Sequence, residues 1–599
     1  MSRAAAPART RLARPATTLV RRAGDLLYSC DDPLRSFPAS LLAHLTHWAA
    51  ATPSSVFLAE RAADGDWATL TYGEARQWVD AVARHLLRLQ CTHGDRLLLI
   101  SENSIAHGVL SLAAMSVGVA VVPLSPTYLG SATGLERVGD VVRIARPAFL
   151  YVSPLSLSAA AGPVRAEDAR EILTPDLQAC RAETEADTPL ALTAALEDRR
   201  RAVDGNTVAK ILFTSGTTGT PKGVINTQRM LCAQQQQMAQ LWQFLNDHPP
   251  VLCEWLPWSH TSGGNNSFNM TLRNGGTLYI DDGRPSLEGI AATARNLAEV
   301  RPTWYTNVPL GYSALLPLLQ QDRALAERFF SRLDLLVYGG AVLSAEVWTG
   351  IDEMARVATG APAPWASGWG LTETTSTTTI THFPVAAAGH IGTPLPGMRC
   401  RLTERDGLYA IAVQGPNVTP GYLGDDAATA AAFDGEGFFI TGDAVSFADA
   451  ANPDRGLRFE GRFAEQFKLA TGTWVIPNRI KRALFAITGP LVRDVVLEGP
   501  DRPHLAALVW LNDEIALRDF GWTHDLAWDD ARAALLHTHL ANLLGRYNGQ
   551  CLGSSERLAR WCVLADPPSA AEGELTDKGT IHLKRFRALR RQHIETLYS

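Results

Sequence analysis

The chain has 599 residues, 46% apolar and 19% charged, with 55 Lys+Arg against 61 Asp+Glu and a net charge of −6. This composition excludes a disordered chain and permits a sizeable core, and the mildly negative balance argues against nucleic acid as the partner. The eight cysteines form no C-x-x-C pair and no His/Cys cluster, which excludes a zinc site or disulfide framework and points to reduced thiols in a cytoplasmic setting.

Length alone suggests about four domains, yet the pattern reads as a tail (1–38), one large region (39–462) and a smaller C-terminal unit (463–599). The first 24 residues hold six arginines and no acid. Mitochondrial transit peptides share that composition, but so do disordered tails of Ala/Arg-rich chains, and the stretch is read as a tail. Ala75–Leu89 has helical spacing, Arg96–Ile100 reads as a strand entered through Gly94-Asp95, Val109–Val117 as a helix and Ala120–Pro123 as a strand. The apolar stretch Val109–Val122 is broken by Ser111 and Ser116, so it predicts a buried helix leading into a strand and no membrane span. Residues 155–206 read as surface helices and loops. Met230–Leu245 is a predicted helix, and Tyr305–Leu319, Leu333–Tyr338 and Glu346–Ala358 continue the alternation. From about Ala386 short segments with Gly/Pro turns predict a more antiparallel subdomain. Beyond Gly461-Arg462 come strands at Asp494–Leu497 and Leu505–Leu511, a helix at Trp528–Leu544 and a basic terminus. The fold class that follows is α/β: parallel sheets of βαβ type plus a smaller β-rich subdomain, then a small α+β C-terminal domain.

The most informative segment is Ile-Leu-Phe-Thr-Ser-Gly-Thr-Thr-Gly-Thr-Pro-Lys-Gly-Val at 211–224. An apolar strand empties into hydroxyls and glycines, and a lone cation, Lys222, closes the loop. Glycines let backbone amides approach an anion, and hydroxyls add donors, so the chemistry is polyphosphate binding. The template G-x-x-x-x-G-K-[ST] opening a helix does not fit, because Pro221 precedes the lysine and Gly223 follows it. Tyr338-Gly339-Gly340-Ala341 ends an apolar strand, where open α/β sheets bind ligands.

The loop resembles the signature of the adenylate-forming superfamily of acyl-CoA synthetases, luciferases and peptide-synthetase adenylation domains. Within it the chain is most similar to bacterial feruloyl-CoA synthetases, through Leu-Pro-Trp-Ser-His-Thr-Ser-Gly-Gly-Asn-Asn (256–266), Asn-Gly-Gly-Thr-Leu-Tyr-Ile-Asp-Asp-Gly (274–283) and Phe-Lys-Leu-Ala-Thr-Gly-Thr-Trp-Val (467–475). The resemblance implies an ATP-dependent acid–CoA ligase using Mg²⁺ and CoA, acting on a small carboxylic acid such as ferulate. Two alternatives are an enzyme that loads a separate carrier-protein thiol and a protein that binds acyl-adenylate without turnover.

By resemblance, Thr214, Ser215, Gly216, Thr217, Thr218, Gly219 and Lys222 hold the β- and γ-phosphates. Gly339, Gly340 and Ala341 border the adenine. Trp369 stands for the usual tyrosine and Gly370 matches the glycine of the family's Tyr-Gly-x-Thr-Glu segment, with the aromatic face stacking on the base. Thr372 meets the α-phosphate, and Glu373 holds Mg²⁺. Asp443, assisted by Arg462, binds the ribose. His260, Asn265 and Tyr338 line the acyl site, with Asn266, Tyr305 and Val308 as further pocket residues. Lys468 and Gly472 meet CoA, and the unit after Arg462 swings between two half-reactions. The lysine that bridges acid and α-phosphate is assigned to Lys578. Ungapped comparison places Thr580 there, and Lys584 falls in a basic helix-like stretch.

Overall fold

The computed structural model describes residues 10–599 apart from 159, 161, 163, 165, 167–168, 173, 183–188, 215–220, 341–342, 524–530, 552, 554, 570–571, 573 and 575–580. Local sequence sets the helix borders. Tyr72–Arg88 opens with a capping box, Thr71 accepting from the Glu74 amide while the Glu74 carboxylate accepts from the Thr71 amide. Ser104 caps Ile105–Ser116, and Ala345–Thr359 runs from a Ser344 cap to Gly360 in the left-handed region.

Two large sheets carry the architecture. The first orders Lys222–Thr227, Val208–Thr214, Ala120–Leu124, Arg96–Ile100, Phe149–Val152 and Arg170–Glu171. Its pairs are parallel except the first, which is antiparallel and joins the strands that flank the glycine-rich segment. In the second, fifteen strands are joined among the described residues. Val56–Arg61, Thr277–Ile280, Val251–Glu254, Trp304–Asn307, Leu335–Tyr338 and Trp365–Trp369 run parallel, and the sheet turns antiparallel from Thr379–Ile380 onward. This is the α/β plan with a β-rich extension that the alternation predicts.

The N-terminal stretch departs from its reading as a tail. Thr17–Arg22 and Asp25–Cys30 form a hairpin, and the second strand pairs with Arg399–Arg405 at the border of the large sheet. Tyr28 is fully buried there, its hydroxyl donating to the Pro453 carbonyl at 2.7 Å. Residues 10–16 are also tied in: the Thr10 hydroxyl donates to the Asp334 carbonyl, the Ala13 amide to Leu241, and the Ala13 carbonyl faces His382 Nδ1 at 2.9 Å. The six arginines misled because composition hides the apolar side chains of Leu19, Leu26 and Tyr28, which mark strand faces.

Beyond Arg462 the chain builds its own three-stranded sheet, Val492–Glu498, Leu505–Leu511 and Leu558–Val563, covered by Pro477–Thr488 and Ala531–Gln550. Its apolar clusters are separate from those of the large region. An ion pair joins the two parts: Arg482 donates to Glu460 Oε2 at 2.6 Å and to the Phe459 carbonyl at 3.1 Å, while the Ser446 hydroxyl donates to the other Glu460 oxygen.

Candidate active site

The hairpin register places Thr214 opposite Lys222, so both ends of the glycine-rich loop are fixed side by side. Gly223 is packed so closely that a Cβ would lie 3.0 Å from Ile211 and 3.1 Å from Phe213. Residues 419–423 brace the exit strand: Leu423 donates to the Gly223 carbonyl, Ile225 to that of Gly421, and the Thr419 hydroxyl to that of Ile225. This brace delivers Tyr422, whose ring centre lies 5.0 Å from Lys222 Nζ and whose hydroxyl donates to Glu373 Oε1 at 2.9 Å. A cation on the loop and a carboxylate some 150 positions later in sequence thus share one aromatic bridge.

Glu373 sits in a short 3₁₀ turn, Thr372–Thr374, whose backbone is held by Thr419 N–H donating to the Glu373 carbonyl at 2.7 Å. The next residue, Thr375, has φ of +70°, a left-handed conformation rare for a β-branched side chain. Asn265 Nδ2 donates to the Thr375 carbonyl and to Asn226 Oδ1, both at 2.9 Å, and Asn417 Nδ2 donates to the carbonyls of Thr374 and Thr377. The strained turn is therefore held from two sides. Asn265, expected on the acyl pocket, is fully buried and locks the Glu373 turn to the strand leaving the loop.

Trp369 ends the strand Trp365–Trp369 and is buried. Its indole N–H donates to Asp443 Oδ2 at 2.9 Å. The antiparallel register sets Asp443 opposite Arg462, whose Nε lies 3.5 Å from Oδ1. Burial pushes the Asp443 carboxyl up to about 6 against the opposing pull of Arg462 and the indole donor. Gly370 must be glycine, since a Cβ would fall 2.2 Å from the Ser376 carbonyl oxygen. Gly339 and Gly340 follow the neighbouring strand's carboxyl end, and a Cβ on Gly339 would meet open space. Tyr338, expected on the acyl site, is buried beneath them and its hydroxyl accepts from the Gly389 amide at 2.9 Å.

His260, half-buried, follows the strand Val251–Glu254 and leads into a π-helical turn, Thr261–Ser267, a form frequent at functional sites. The turn lies against residues 256–258 so tightly that a Cβ on Gly263 or Gly264 would meet the carbonyl oxygens of Leu256 or Trp258 within 2.3 Å. Lys210, fully buried, donates to the Gly264 carbonyl at 2.8 Å, and burial pushes its amine down to about 7. Burial likewise pushes Glu254 up to about 8; its Oε2 accepts from the Ser267 hydroxyl at 2.9 Å. Among the described residues Glu254 Oε1, Asn266 Oδ1 and both amide atoms of Asn269 are buried without a hydrogen-bond partner. Buried polar atoms are almost always paired, so this concentration marks a place that accepts polar company.

A model of the family described as AMP-binding enzyme matches residues 45–423. The chain belongs to the AMP-binding enzyme family. Among curated relatives it is 28% identical over 466 residues to a probable non-canonical nonribosomal peptide synthetase, CymA, of Salinispora arenicola, covering 75% of this chain but only 5% of that protein. It is 27% identical over 504 residues to the long-chain-fatty-acid–CoA ligase FadD15 of Mycobacterium bovis, covering 76% of this chain and 79% of the relative. A crystal structure of ATP-bound MatB from Rhodopseudomonas palustris superposes with a TM-score of 0.66 at 23% identity, over 93% of this chain and all of the other, which establishes the shared fold.

Within this AMP-binding chain, Lys222 and Glu373 meet through Tyr422, and Asp443 meets both Trp369 and Arg462. Ser215, Gly216, Thr217, Thr218, Gly219, Ala341 and Lys578 lie outside the described residues. Lys468 and Gly472 occupy a separate hairpin past Arg462; Lys468 Nζ is 4.9 Å from the Trp474 ring centre, and Gly472 has φ of +80°. Lys584 is exposed on the helix Leu583–Leu589, as its basic surroundings predict. Sequence reasoning missed Tyr422, Thr419 and Asn417. The one available local signal is the Gly- and Pro-bearing turn Thr-Pro-Gly-Tyr-Leu-Gly at 419–424.

Proposed function

We propose that the chain is a cytoplasmic acid–CoA ligase that adenylates an aromatic, hydroxycinnamate-type acid such as ferulate with ATP. The bridge from Lys222 through Tyr422 to Glu373 carries this reading, because it poises a cation and a carboxylate at the closed end of a phosphate-type loop. A carboxylate oxygen attacks the α-phosphorus while the bond to pyrophosphate breaks. The CoA thiolate then attacks the acyl carbonyl and AMP leaves. Charge must be neutralised where two anions meet, and the first step draws on Lys222 and the loop donors for that purpose. Asp443 accepts from the ribose hydroxyls, and Trp369 offers a flat face to the base.

Glu373 has one oxygen engaged by Tyr422, and no cluster of three or more metal-type ligands occurs among the described residues. A single protein carboxylate suits Mg²⁺ shared with substrate phosphates, which would supply charge neutralisation there, held by Glu373. The unpaired amides near His260, together with Glu254 kept protonated at neutral pH, support an acid bearing hydrogen-bonding substituents. The unit after Arg462 serves as the mobile domain for the second step, with Lys468 and Gly472 toward CoA.

Pyrophosphate release from Mg·ATP with a panel of acids is the test. Ferulate-dependent release that continues only when CoA is supplied, with feruloyl-CoA as product, is the expected result. Release without CoA transfer favours loading of a separate carrier thiol, a reading the similarity to CymA supports. Nucleotide binding with no release leaves the non-turning-over binder. Lys578→Ala is expected to slow adenylation while sparing thioester formation from preformed acyl-adenylate, and Lys584→Ala to leave both intact. Unchanged adenylation in Lys578→Ala moves the role to Lys584 or removes it.

A further inference from the structure

Trp369 has a second property besides its flat face: a donor on its edge. That donor is engaged, Nε1–H to Asp443 Oδ2 at 2.9 Å, between two adjoining regions of one sheet. Asp443 is nearly sealed, its side chain 3% exposed, and Oδ1 meets no hydrogen-bond partner; its nearest cation is Arg462 Nε at 3.5 Å. The terminal torsion of an aspartate is broad and roughly two-fold. A donor fixed in a strand removes that freedom and decides which oxygen is left over. The Asp443 amide is itself held, donating to the Thr441 hydroxyl at 3.1 Å, which in turn donates to the Ile411 carbonyl. The carboxylate is thus restrained at its backbone and at one oxygen.

We propose that Trp369 is a positioning residue for sugar recognition: its indole N–H fixes Asp443 so that Oδ1 alone faces the 2′- and 3′-hydroxyls of a bound ribonucleotide. This rests on the nucleotide-binding reading above and adds a role distinct from stacking. The charged groups around the carboxylate are Arg462 across the antiparallel pair, Glu465 in the turn after it and Glu373 from the 3₁₀ turn. The two glutamates and burial favour the protonated acid, while Arg462 and the indole favour the anion. Nucleotide affinity therefore falls as pH drops through about 6, and loss of the indole donor moves that fall to higher pH.

Calorimetric titration with ATP and with 2′,3′-dideoxy-ATP separates this role from stacking, because the second ligand cannot use Asp443. The natural chain is expected to prefer ATP. Trp369→Phe keeps a ring and loses the N–H, so ATP affinity should fall about tenfold, the usual scale for a hydrogen bond to a charged group, while dideoxy-ATP affinity changes little. Asp443→Asn should abolish the preference, and adding Trp369→Phe to it should cost no further discrimination. If Trp369→Phe does not fold, 3-benzothienylalanine at position 369 preserves the ring shape without the N–H and gives the same readout. Equal weakening of both nucleotides, or a preference retained in full, overturns the inference. So does a natural chain that binds ATP and dideoxy-ATP alike, with nucleotide binding itself intact. A natural chain that binds neither brings down the functional reading, and this inference with it.

Discussion

Lys222→Ala is expected to lower the rate of acid-dependent pyrophosphate release by about 10²-fold or more, the scale set by removing one preorganised charge from a transition state. The lysine begins a strand and lies directly opposite Thr214, so its backbone cannot drift from the loop it closes. Its ammonium lies over the Tyr422 ring, 5.0 Å from the centre, within cation–π range. The aliphatic stem is thereby directed before any phosphate arrives, which lowers the entropy cost of using the charge. Lys222→Arg retains the charge on a wider head and should recover part of the rate. The side chain is only half-buried, so thermal stability should change little in either variant. Rapid-quench measurement of pyrophosphate at saturating ATP decides the matter; a drop below about threefold, against the 10² of a charge partner, removes the lysine from the chemistry.

Glu373→Gln should cause a loss of similar size, about 10²-fold in kcat/KM for Mg·ATP, by a different route. Glutamine is nearly isosteric and its amide oxygen still accepts from the Tyr422 hydroxyl, so the bridge to the loop survives. What disappears is the negative charge toward a hard cation. The strained turn at Thr375 is held by Asn265 and Asn417 and not by the Glu373 side chain, so the fold should tolerate the change. The decisive readout is rate against Mg²⁺ concentration. A curve displaced to higher Mg²⁺ supports metal holding, whereas a curve identical to the natural chain's leaves Glu373 as no more than a partner for Tyr422.

Much of the large region was legible because its signals are local. Arg96–Ile100 and Leu505–Leu511 are found at their predicted bounds, and the predicted helix over Glu346–Ala358 is Ala345–Thr359. In each case apolar periodicity and an adjacent cap or turn residue lie within a few positions of one another. The two ends of the segment 211–224 were legible for the same reason, an apolar strand and a lone cation lying close together in sequence, and the structure pairs them in register. Asn265 was not: its partners are Asn226 and Thr375, and no local pattern says that an asparagine after a Gly-Gly pair faces a strained threonine more than a hundred positions away. Tyr422 was missed likewise, since its use depends on a backbone bridge to Val224 that only the folded sheet creates. Trp369 was read by its face, and its edge became meaningful only once Asp443 lay beside it.

The hairpin formed by Thr17–Arg22 and Asp25–Cys30 has a practical consequence for anyone handling this polypeptide. It terminates a long sheet, and its outermost strand ends in Arg21 and Arg22, charges of the kind that discourage stacking of one molecule on the next. Trimming the arginine-rich start as dispensable would strip that guard and uncover the main-chain groups of Asp25–Cys30 now paired with Thr17–Arg22. Soluble yield, rather than catalysis, would suffer first.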